Sequence, residues 1–600
     1  MRKLFLTVLV VISLAVLVLA TQVNLSIMHT SDIHGNIFPV DYATGKSSAV
    51  GLAKVSTLLN EMRKSNPYTL AIDTGDLIQG TPLAYYYAKV DSSGENPMIA
   101  ALNHMGFIAS VIGNHEFNYG PSILERAIDE ADFPVLSANI VFESSGEAAF
   151  TPYIIVEVPV EGDTVRVGVL GLTTSFIPNW EEPKNIAGLS FLDPVSTALE
   201  YVPQLREKVD VLVVAYHGGF ERDLKTGAPT EELLGENVGY QILKEVKGID
   251  VLLTGHQHRT IAEVIDGTVI SQPSNWGKVA GKIDLVLEKN NGKWEIVDRS
   301  IVQVSMAGYE ADSALMAMFQ SFEDRVQKWL DQPVGIAIGD FYIDDPLVAR
   351  LADNTLIEFV NRVQSSVTGA PISSVALFTN DIKGWKTGPI TIRDINAVYI
   401  YPNTLKVIKV TGADIKAALE KSAEYFTYED GEIVVTNSWI NPKPLHYNYD
   451  MWEGIEYIVA ADRPVGERVL SIRFMGKPLE MDGEYEVVLN NYRAGGGGGY
   501  TMFQGKPVVR EVMLEVSEII ANYVLERVAV SATLDHNWSV GTGFIHTVGW
   551  NETLRTISEM YGIDASDIMK YNPDLKRVER IPAGTKIIIY KPALEEVPVM

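Results

Sequence analysis

The chain has 600 residues, and its 49 lysines and arginines are outnumbered by 76 aspartates and glutamates, giving a formal net charge of −27 at pH 7. This acidity disfavours a protein that wraps polymeric nucleic acid or binds anionic membranes, because both need a basic face. Cysteine is absent, which excludes disulfides, thiolate zinc sites and cysteine nucleophiles. A chain of this length is expected to divide into about three or four domains.

The first twenty residues have the pattern of a secretory signal peptide. Arg2 and Lys3 precede an apolar run from Leu4 to Ala20, and a small-residue cleavage site lies before Thr21. An uncleaved membrane anchor is the alternative, but no later apolar stretch is long enough to cross a bilayer. We therefore expect residues 1–20 to be removed, leaving an exported protein, periplasmic or associated with the cell wall, that has no stable membrane anchor.

Residues 24–305 alternate short apolar runs with amphipathic helices, a pattern that predicts an α/β layered domain. The runs with strand character are Val23–Met28, Thr69–Ile72, Ala109–Ile112, Val165–Leu170, Val209–Ala215 and Ile249–Leu253. The helical stretches between them include Gly51–Lys64, Pro121–Ala131 and Asp193–Glu207. Residues 306–333 carry apolar side chains at helical spacing and are predicted to form a linker helix.

The remainder of the chain predicts two further units. Residues 334–530 mix strands and helices in a second large domain, with a strand expected at Lys406–Val410 and a helix at Val512–Val528. The turn-rich segment Ser531–Gly543 is expected to separate this domain from a small third unit, residues 544–592. The pattern of that unit is strand, helix, helix, strand.

Metal-capable side chains follow five of the apolar runs in the first domain, within DIHGN, GDLIQG, GNHEFNYG, AYHGG and TGHQH. Loops that leave the carboxyl ends of strands converge in α/β domains, so these five exits can supply one site. The candidate residues are Asp32, His34, Asp76, Asn114, His115, His217, His256 and His258. Oxygen and imidazole donors without thiolates suit Zn, Mn, Fe or Co. About seven ligands are too many for one tetrahedral ion and enough for two divalent ions with a bridging carboxylate, most naturally Asp76.

These motifs and their order resemble those of calcineurin-like metallophosphoesterases, and residues 334–530 resemble the C-terminal domain of the 5′-nucleotidase family. The resemblance covers most of the chain and implies a four-layer sandwich followed by a mixed α/β substrate-binding domain. It also implies that two divalent metal ions are held, with Asp76 as the bridge, by Asp32, His34, Asp76, Asn114, His217, His256 and His258. His115 matches the catalytic position that stabilises developing charge or protonates the leaving oxygen, a role that suits an imidazole because its pKa lies near neutrality.

Asn118 distinguishes this chain from typical 5′-nucleotidases. Those enzymes carry an aspartate three residues after the catalytic histidine, whereas an amide can orient the imidazole without stabilising its cation as a carboxylate would. The segments GNHEFNYG (113–120) and IDTGDLIQGTPLAYY (72–86) instead resemble the exported 2′,3′-cyclic-nucleotide 2′-phosphodiesterase/3′-nucleotidase branch of the family. We therefore place Asn118 beside His115 among the candidate catalytic residues.

The second domain resembles the same branch in YIYPNTL (399–405) and NNYRA (490–494). The resemblance implies that Tyr401 and Tyr492 sandwich the nucleobase and that Asn403 contacts it. Such stacking holds any base with little discrimination. Gly498 stands where 5′-nucleotidases carry an aspartate that binds the free ribose hydroxyls. Without that carboxylate, a cyclic phosphate at the same place is not repelled. The alternative is that the glycine run is only a flexible loop.

Residues 544–592 resemble a LysM domain, which implies binding to peptidoglycan or another N-acetylglucosamine-containing glycan. A generic small αβ fold without glycan affinity is the alternative.

The features together predict an exported phosphoesterase that opens 2′,3′-cyclic nucleotides to 3′-nucleotides through a metal-bridging hydroxide and then releases phosphate from 3′-nucleotides. The rival functions are a 5′-nucleotidase or UDP-sugar hydrolase on the same fold, and a wall-binding protein whose phosphoesterase domain is inactive.

Overall fold

The computed structural model describes residues 22–594, apart from 43, 161, 180, 231–232, 402, 513 and 576–580. The predicted signal peptide, residues 1–20, lies outside the described residues. Among the helices of the described part of the chain, none is both long enough and apolar enough to cross a membrane.

The first domain contains fourteen strands and seven α-helices among its described residues. The strands are β1 Gln22–Thr30, β2 Thr69–Asp73, β3 Ala109–Val111, β4 Val135–Leu136, β5 Ile140–Phe142, β6 Tyr153–Val160, β7 Asp163–Thr173, β8 Leu189–Phe191, β9 Val211–His217, β10 Val251–Thr254, β11 Thr260–Ile265, β12 Thr268–Pro273, β13 Val279–Asn290 and β14 Lys293–Ser305. The helices are α1 Leu52–Ser65, α2 Pro82–Tyr85, α3 Pro97–Met105, α4 Pro121–Glu130, α5 Pro194–Arg206, α6 Gly239–Glu245 and α7 Ser313–Leu330.

Two six-stranded sheets pack face to face, in the orders β14-β13-β1-β2-β3-β4 and β11-β12-β10-β9-β7-β6. Apolar side chains such as Ile27, Val167 and Val213 fill the space between them. Helices α1, α3 and α7 cover the outer face of the first sheet, and α5 and α6 cover that of the second. The domain is therefore a four-layer sandwich, as predicted. Its central strands are buried on both faces, which explains why they are continuous apolar runs in the sequence.

Parallel pairing aligns the strand ends that carry the candidate ligands. Strands β1, β2 and β3 pair in parallel, and Thr30 lies opposite Asp73 where the first two end. Strands β7, β9 and β10 also pair in parallel, so that Thr173 lies opposite His217. The loops that follow these strands consequently leave each sheet at one edge.

Helix α7 differs from a free linker. Its side chains Leu315, Phe319, Val326 and Leu330 are buried in the same core as α1 and α3, because the helix is amphipathic and its apolar face needs a partner. Helix α7 therefore belongs to the helical layer of the first domain, and the segment 306–333 reaches the second domain only at Pro333, where β15 begins.

The second domain has thirteen strands and six α-helices in its described residues. The strands are β15 Pro333–Ile338, β16 Ile372–Ala376, β17 Gly388–Thr391, β18 Leu405–Thr411, β19 Phe426–Glu429, β20 Glu432–Val435, β21 Asp450–Glu453, β22 Glu456–Ala460, β23 Val469–Phe474, β24 Lys477–Pro478, β25 Glu484–Asn490, β26 Val508–Val512 and β27 Ala529–Ser531. The helices are α8 Val348–Leu351, α9 Thr355–Thr368, α10 Ile392–Val398, α11 Gly412–Ala423, α12 Asn491–Ala494 and α13 Val516–Arg527.

A five-stranded sheet, β21-β16-β25-β18-β26, lies at the centre of the second domain. The helix predicted at Val512–Val528 begins only at Val516, because Val508–Val512 pairs with β18 as the edge strand β26. The segment that leads into β18 carries Tyr401 and Asn403, and the segment that follows β25 carries Tyr492, the residues predicted to bind substrate.

The third unit contains β28 Trp538–Thr547, α14 Leu554–Tyr561, α15 Ala565–Lys570 and β29 Lys586–Pro592. The prediction that Ser531–Gly543 separates it from the second domain is wrong for the later half of that segment. Trp538–Gly541 pairs in parallel with β22, and the same strand then pairs with β29. Trp538 and Val540 are buried, so their packing holds the strand on the second domain, and the small unit is continuous with a sheet of its neighbour.

Candidate active site

Five strand ends converge and bring the predicted ligands together. The first sheet contributes residues that follow β1, β2 and β3, and the second contributes residues at the ends of β9 and β10. Two groups result, each with three side chains whose donor atoms lie within 4.8 Å of one another: Asp32 with His34 and His258, and Asp76 with His217 and His256. Asn114 lies against the second group, with its Oδ1 atom 3.0 Å from His217 Nε2 and 2.8 Å from His256 Nδ1.

The backbone of this site is held in an uncommon conformation. Five of the predicted ligands have φ angles between 49° and 66°, in the left-handed region that side chains other than glycine rarely adopt: Asp32, His34, Asp76, His256 and His258. Such conformations persist only where the surrounding structure enforces them, and they concentrate at functional sites. The tight turns aim all five side chains into one space.

Asp76 lies between the two groups. Its Oδ2 atom is 3.3 Å from Nε2 of His217 and 3.8 Å from Nε2 of His34, which belongs to the other group. Burial alone would raise the pKa of Asp76, but His217 and His115 hold that pKa well below its usual range. The carboxylate is therefore charged and placed where a bridging ligand would be required.

Two of the imidazoles donate a hydrogen bond from Nδ1 to a backbone carbonyl on the side that faces away from the site. His217 Nδ1 donates to the carbonyl of Thr74 at 2.6 Å, and His34 Nδ1 donates to the carbonyl of Gln79 at 3.2 Å. In the neutral rings, each Nε2 atom consequently directs a lone pair inward. When His217 Nε2 carries no proton, it faces the acceptor oxygen of Asn114, and a bound cation would accept both lone pairs.

Electrostatics at the site also favour positive charge. Burial alone would lower the pKa of His217, but Asp76, Asp32 and Glu116 outweigh it and raise the pKa to about 10, so without metal this ring holds a proton that a bound cation would replace. The donor set and the inward lone pairs fit divalent metal ions of the type that imidazole and carboxylate prefer. Asp32, His34 and His258 would hold one ion, Asp76, Asn114, His217 and His256 would hold the other, and Asp76 would contact both.

Two acidic residues that support the ligands were not predicted. Glu116 is buried and accepts hydrogen bonds from the backbone N–H groups of Asp76 at 3.0 Å and Gly113 at 2.7 Å, joining two ligand-bearing loops. Glu236 accepts a hydrogen bond from His256 Nε2 at 2.9 Å, which leaves Nδ1 as the ligand atom in the neutral ring. Glu116 lies inside the motif GNHEF, and its position between the candidate catalytic residues His115 and Asn118 was a usable signal, whereas nothing in the sequence around Glu236 indicates its role.

His115 is oriented by a chain of hydrogen bonds. Its Nδ1 atom lies 2.6 Å from Oδ1 of Asn118, and the Asn118 amide donates to Glu181 Oε2 at 2.7 Å. The asparagine oxygen can only accept, so Nδ1 carries the proton. The ring of His115 packs edge-on against His34, with centroids 5.2 Å apart, which places it beside the first ligand group. Glu181 was not predicted, because 63 residues separate it from Asn118.

The predicted substrate-binding residues of the second domain lie in an aromatic cluster. Tyr401 packs edge-on against Phe378 at 5.2 Å and Tyr447 at 6.3 Å between ring centroids. The pKa of Tyr492 is raised well above its usual range, mainly by burial and to a smaller extent by the nearby Tyr447 and Glu236. Tyr492 therefore lies near both Tyr447 of its own domain and Glu236 of the first domain. Tyr447 was not predicted.

Asn403 is placed differently from the two tyrosines. Its side-chain amide donates to Asn491 Oδ1 at 3.2 Å, and its backbone carbonyl accepts from Val516 N–H at 2.8 Å. These bonds hold the loop that carries Tyr401. A direct contact between Asn403 and a base stays a prediction.

The glycine run packs closely on a buried ion pair. Arg493 donates to Asp450 at 2.7 and 3.1 Å, and also to the carbonyl oxygens of Gly497 and Tyr447. Gly498 has a φ of 73°, and a Cβ atom there would lie 2.2 Å from Oδ1 of Asn448. Close packing therefore gives Gly498 a structural reason to be glycine, independent of any substrate preference.

A cleft of about 550 Å³ opens between the two large domains. One wall contains Phe176 and Glu181, and the other contains Lys406, Asn491 and Lys506. Because Glu181 also binds Asn118, this cleft borders the side chains that orient His115.

Comparison with known families matches three regions of the chain. Residues 25–260 match the calcineurin-like phosphoesterases, residues 339–505 match the C-terminal domain of 5′-nucleotidases, and residues 546–589 match the LysM domain.

Individual relatives extend over most of the chain. A 2′,3′-cyclic-nucleotide 2′-phosphodiesterase/3′-nucleotidase from Salmonella typhimurium is 30% identical over 541 residues, which cover 80% of this chain and 82% of the relative. The trifunctional nucleotide phosphoesterase protein YfkN from Bacillus subtilis is 31% identical over 87% of this chain, which spans only 39% of that longer protein. A crystal structure of a candidate 5′-nucleotidase from Staphylococcus aureus superimposes with a TM-score of 0.78 at 33% identity, covering 86% of this chain and 99% of the other.

Proposed function

The chain belongs to the 5′-nucleotidase family of calcineurin-like phosphoesterases and is a hydrolase of phosphate esters, and from this we propose that it opens 2′,3′-cyclic nucleotides to 3′-nucleotides and then releases phosphate from 3′-nucleotides. The Salmonella relative carries the name of this activity. The rival is a 5′-nucleotidase or UDP-sugar hydrolase, and the name of the Staphylococcus aureus structure keeps 5′-nucleotidase activity open. The ligand groups disfavour an inactive, purely wall-binding protein, because no predicted ligand is displaced from them.

One observation carries the nucleotide assignment. Glu236 accepts a hydrogen bond from His256 in the second ligand group and also lies close enough to Tyr492 to raise its pKa. This link supports a binding mode in which the phosphate is held at the ligand groups and the nucleoside extends toward Tyr401, Tyr447 and Tyr492. Aromatic side chains bind a base by stacking, at about 1–3 kcal/mol for each base.

The side chains divide the work of hydrolysis. Two divalent ions, when bound, activate water and neutralise phosphoryl charge. Asn118 fixes the proton of His115 on Nδ1, so in the neutral ring Nε2 can accept a proton and pass it to a leaving oxygen when protonated. Glu181 is itself held by Asn185 at 2.9 Å, and it keeps the Asn118 oxygen turned toward the imidazole.

The substrate assignment is tested on the metal-dependent enzyme. We expect chelation to abolish hydrolysis and addition of Mn, Co or Zn to restore it. Four substrates are then compared at equal concentration: 2′,3′-cyclic AMP, 3′-AMP, 5′-AMP and a nucleotide sugar. The proposal expects the first two to be preferred in kcat/KM. A preference for 5′-AMP or the nucleotide sugar would overturn the cyclic-nucleotide assignment, and no restored activity on any of them would overturn the nucleotide hydrolase.

The hydrogen bonds that join His115, Asn118 and Glu181 predict that the effect of a change at Asn118 on activity depends on Glu181. Changing Asn118→Asp replaces the amide that donates to Glu181 by a second carboxylate, so the two repel and the imidazole loses its fixed partner. We expect kcat to fall by about 10–100-fold, as for other residues that orient a catalytic or ligand side chain. The double variant Asn118→Asp with Glu181→Gln restores a donor and should recover most of the activity. Full activity of the single variant would show that Glu181 does not constrain this link.

The third unit supports association with the cell wall. Its residues match the LysM domain, and we infer that it binds peptidoglycan or another N-acetylglucosamine glycan and retains an exported enzyme near the wall. Trp550, in the loop between β28 and α14, is 86% exposed, and a large exposed aromatic ring suits stacking on a sugar.

Trp550 provides the test of glycan binding. We expect Trp550→Ala to weaken binding of the full chain to insoluble peptidoglycan by about tenfold or more, with unchanged nucleotide hydrolysis in solution. Met560→Ala, an exposed apolar residue on α14 of the same unit, is the matched control. A point variant is preferable to deletion of 544–592, because deletion would remove the β29 partner of β28. Equal binding by the parent and both variants would reject a role for Trp550.

A further inference from the structure

Four carboxylates cluster where the second domain meets the strand that continues into the third unit. Asp353 and Glu358 lie at the beginning of α9, Glu453 ends β21, and Asp535 lies just before β28. Carboxyl oxygens of Asp353, Glu358 and Asp535 come within 4.8 Å of one another. Three of the four residues are buried: Asp353 and Glu453 are 7% exposed, and Glu358 is 8% exposed.

The segment before β28 binds one oxygen of each buried carboxylate. The backbone N–H of Asp535 donates to Glu358 Oε2 at 3.1 Å, and that of His536 donates to Asp353 Oδ2 at 3.1 Å. The side-chain amide of Asn537 donates to Glu453 Oε2 at 2.7 Å. These bonds hold two elements of the second domain, the beginning of α9 and the end of β21, against the chain that leads to the third unit.

Three acceptor oxygens remain without a partner. Asp353 Oδ1, Glu453 Oε1 and Asn537 Oδ1 are buried and accept no hydrogen bond from any described group. Leaving such atoms unpaired costs about 1–3 kcal/mol each, and more for a charged group. They are all hard oxygen atoms, of the kind that coordinates a hard cation.

Positive charge is scarce around this cluster. Within the described residues, the only cationic group in ion-pair contact with any of the four carboxylates is Arg362, whose Nη1 atom lies 3.9 Å from Glu358 Oε1. Burial and repulsion from Asp353 and Asp535 raise the pKa of Glu453 above its usual range, and burial and repulsion from Glu358 and Asp535 do the same for Asp353. The cluster is therefore short of a counter-charge.

We propose that Asp353, Glu358, Glu453, Asp535 and the side-chain oxygen of Asn537 form a calcium site, separate from the phosphoesterase centre. An all-oxygen set rich in carboxylates matches the preference of Ca²⁺ for six to eight oxygen ligands in flexible geometry. Mg²⁺ suits the set less well, because it demands near-octahedral geometry and usually retains several waters. A bound Ca²⁺ would cross-link α9, β21 and the segment entering β28, and so stabilise the attachment of the third unit.

The test uses the full chain, loaded with Mn²⁺ to occupy the phosphoesterase centre and then titrated with Ca²⁺. We expect saturating Ca²⁺ to raise the unfolding temperature by about 5 °C or more. It should also slow hydrogen exchange in residues 533–547. Tb³⁺, which substitutes for Ca²⁺, should show tryptophan-sensitised emission that Ca²⁺ competes away. Trp452 and Trp538, adjacent in sequence to Glu453 and Asn537, are the expected sensitisers.

Variants locate the effect. Glu453→Gln should abolish the Ca²⁺-dependent shift and the Tb³⁺ signal while raising the calcium-free unfolding temperature, because burial and repulsion raise the pKa of Glu453 and glutamine avoids the cost of keeping that carboxyl protonated at neutral pH. Asp482→Asn, an exposed acidic residue of the same domain, should behave as the parent. Should Glu453→Gln fail to fold, Asp353→Asn serves the same purpose. No Ca²⁺ effect on the parent, or an equal effect on the parent and the folded site variant, would overturn the proposal.

Discussion

Asp76→Asn should reduce phosphoesterase activity by about a thousandfold or more, because the loss of several kcal/mol of transition-state charge stabilisation corresponds to that factor. The amide can still accept the hydrogen bond that Asp76 Oδ1 receives from the His115 N–H at 2.8 Å, so the loop keeps its support. It cannot supply the charged oxygen that lies 3.3 Å from His217 and 3.8 Å from His34. The substitution thus removes the bridge with little change in shape.

Metal content distinguishes loss of the bridge from misfolding. The variant should bind fewer than two equivalents of Mn²⁺. The unfolding profile of the second domain, which contains Asp450, should be the same as in the parent. Asp129→Asn, which replaces an exposed carboxylate on α4, provides a control with the same chemical change. Retention of both metal equivalents and of parent activity by Asp76→Asn would contradict the bridging role.

The sequence allowed the ligand positions to be predicted because each follows a strand that is buried on both faces. Runs such as Val209–Ala215 are readable without a structure, and the polar residue at the end of a run stands out against it. The parallel order of β1, β2 and β3 then forces those residues to one edge of the sheet. Their convergence follows from the strand order and needs no knowledge of individual side-chain contacts.

The partners that orient the ligands could not be predicted in the same way. Glu181 reaches Asn118 across 63 residues, and Glu236 reaches His256 from a loop without regular secondary structure. A single glutamate in a loop has no periodicity that marks it as buried or paired. The shared strand β28 was missed for a related reason, since Gly541 and Gly543 resemble a turn in the sequence, while in the structure they pair with Pro592 and Tyr590 of β29.

His115→Ala should lower kcat by about 10²–10⁴-fold, the usual contribution of a general acid or base, with little change in bound metal. The residue is outside both ligand groups, and its backbone N–H, which supports Asp76, is retained. His104→Ala on α3 is the matched control, because His104 is exposed.

A comparison of substrates with different leaving groups distinguishes proton donation by His115 from a general structural effect of its removal. A nucleoside oxygen is a poor leaving group and needs a proton as its bond to phosphorus breaks, whereas p-nitrophenolate leaves without one. The loss of kcat in His115→Ala should therefore be large with 3′-AMP and small with p-nitrophenyl phosphate. An equal loss on both substrates would assign His115 to charge stabilisation at the phosphoryl group. The hydrogen bond from Nδ1 to Asn118 favours the first outcome, because it fixes the tautomer and leaves Nε2 as the atom that exchanges a proton.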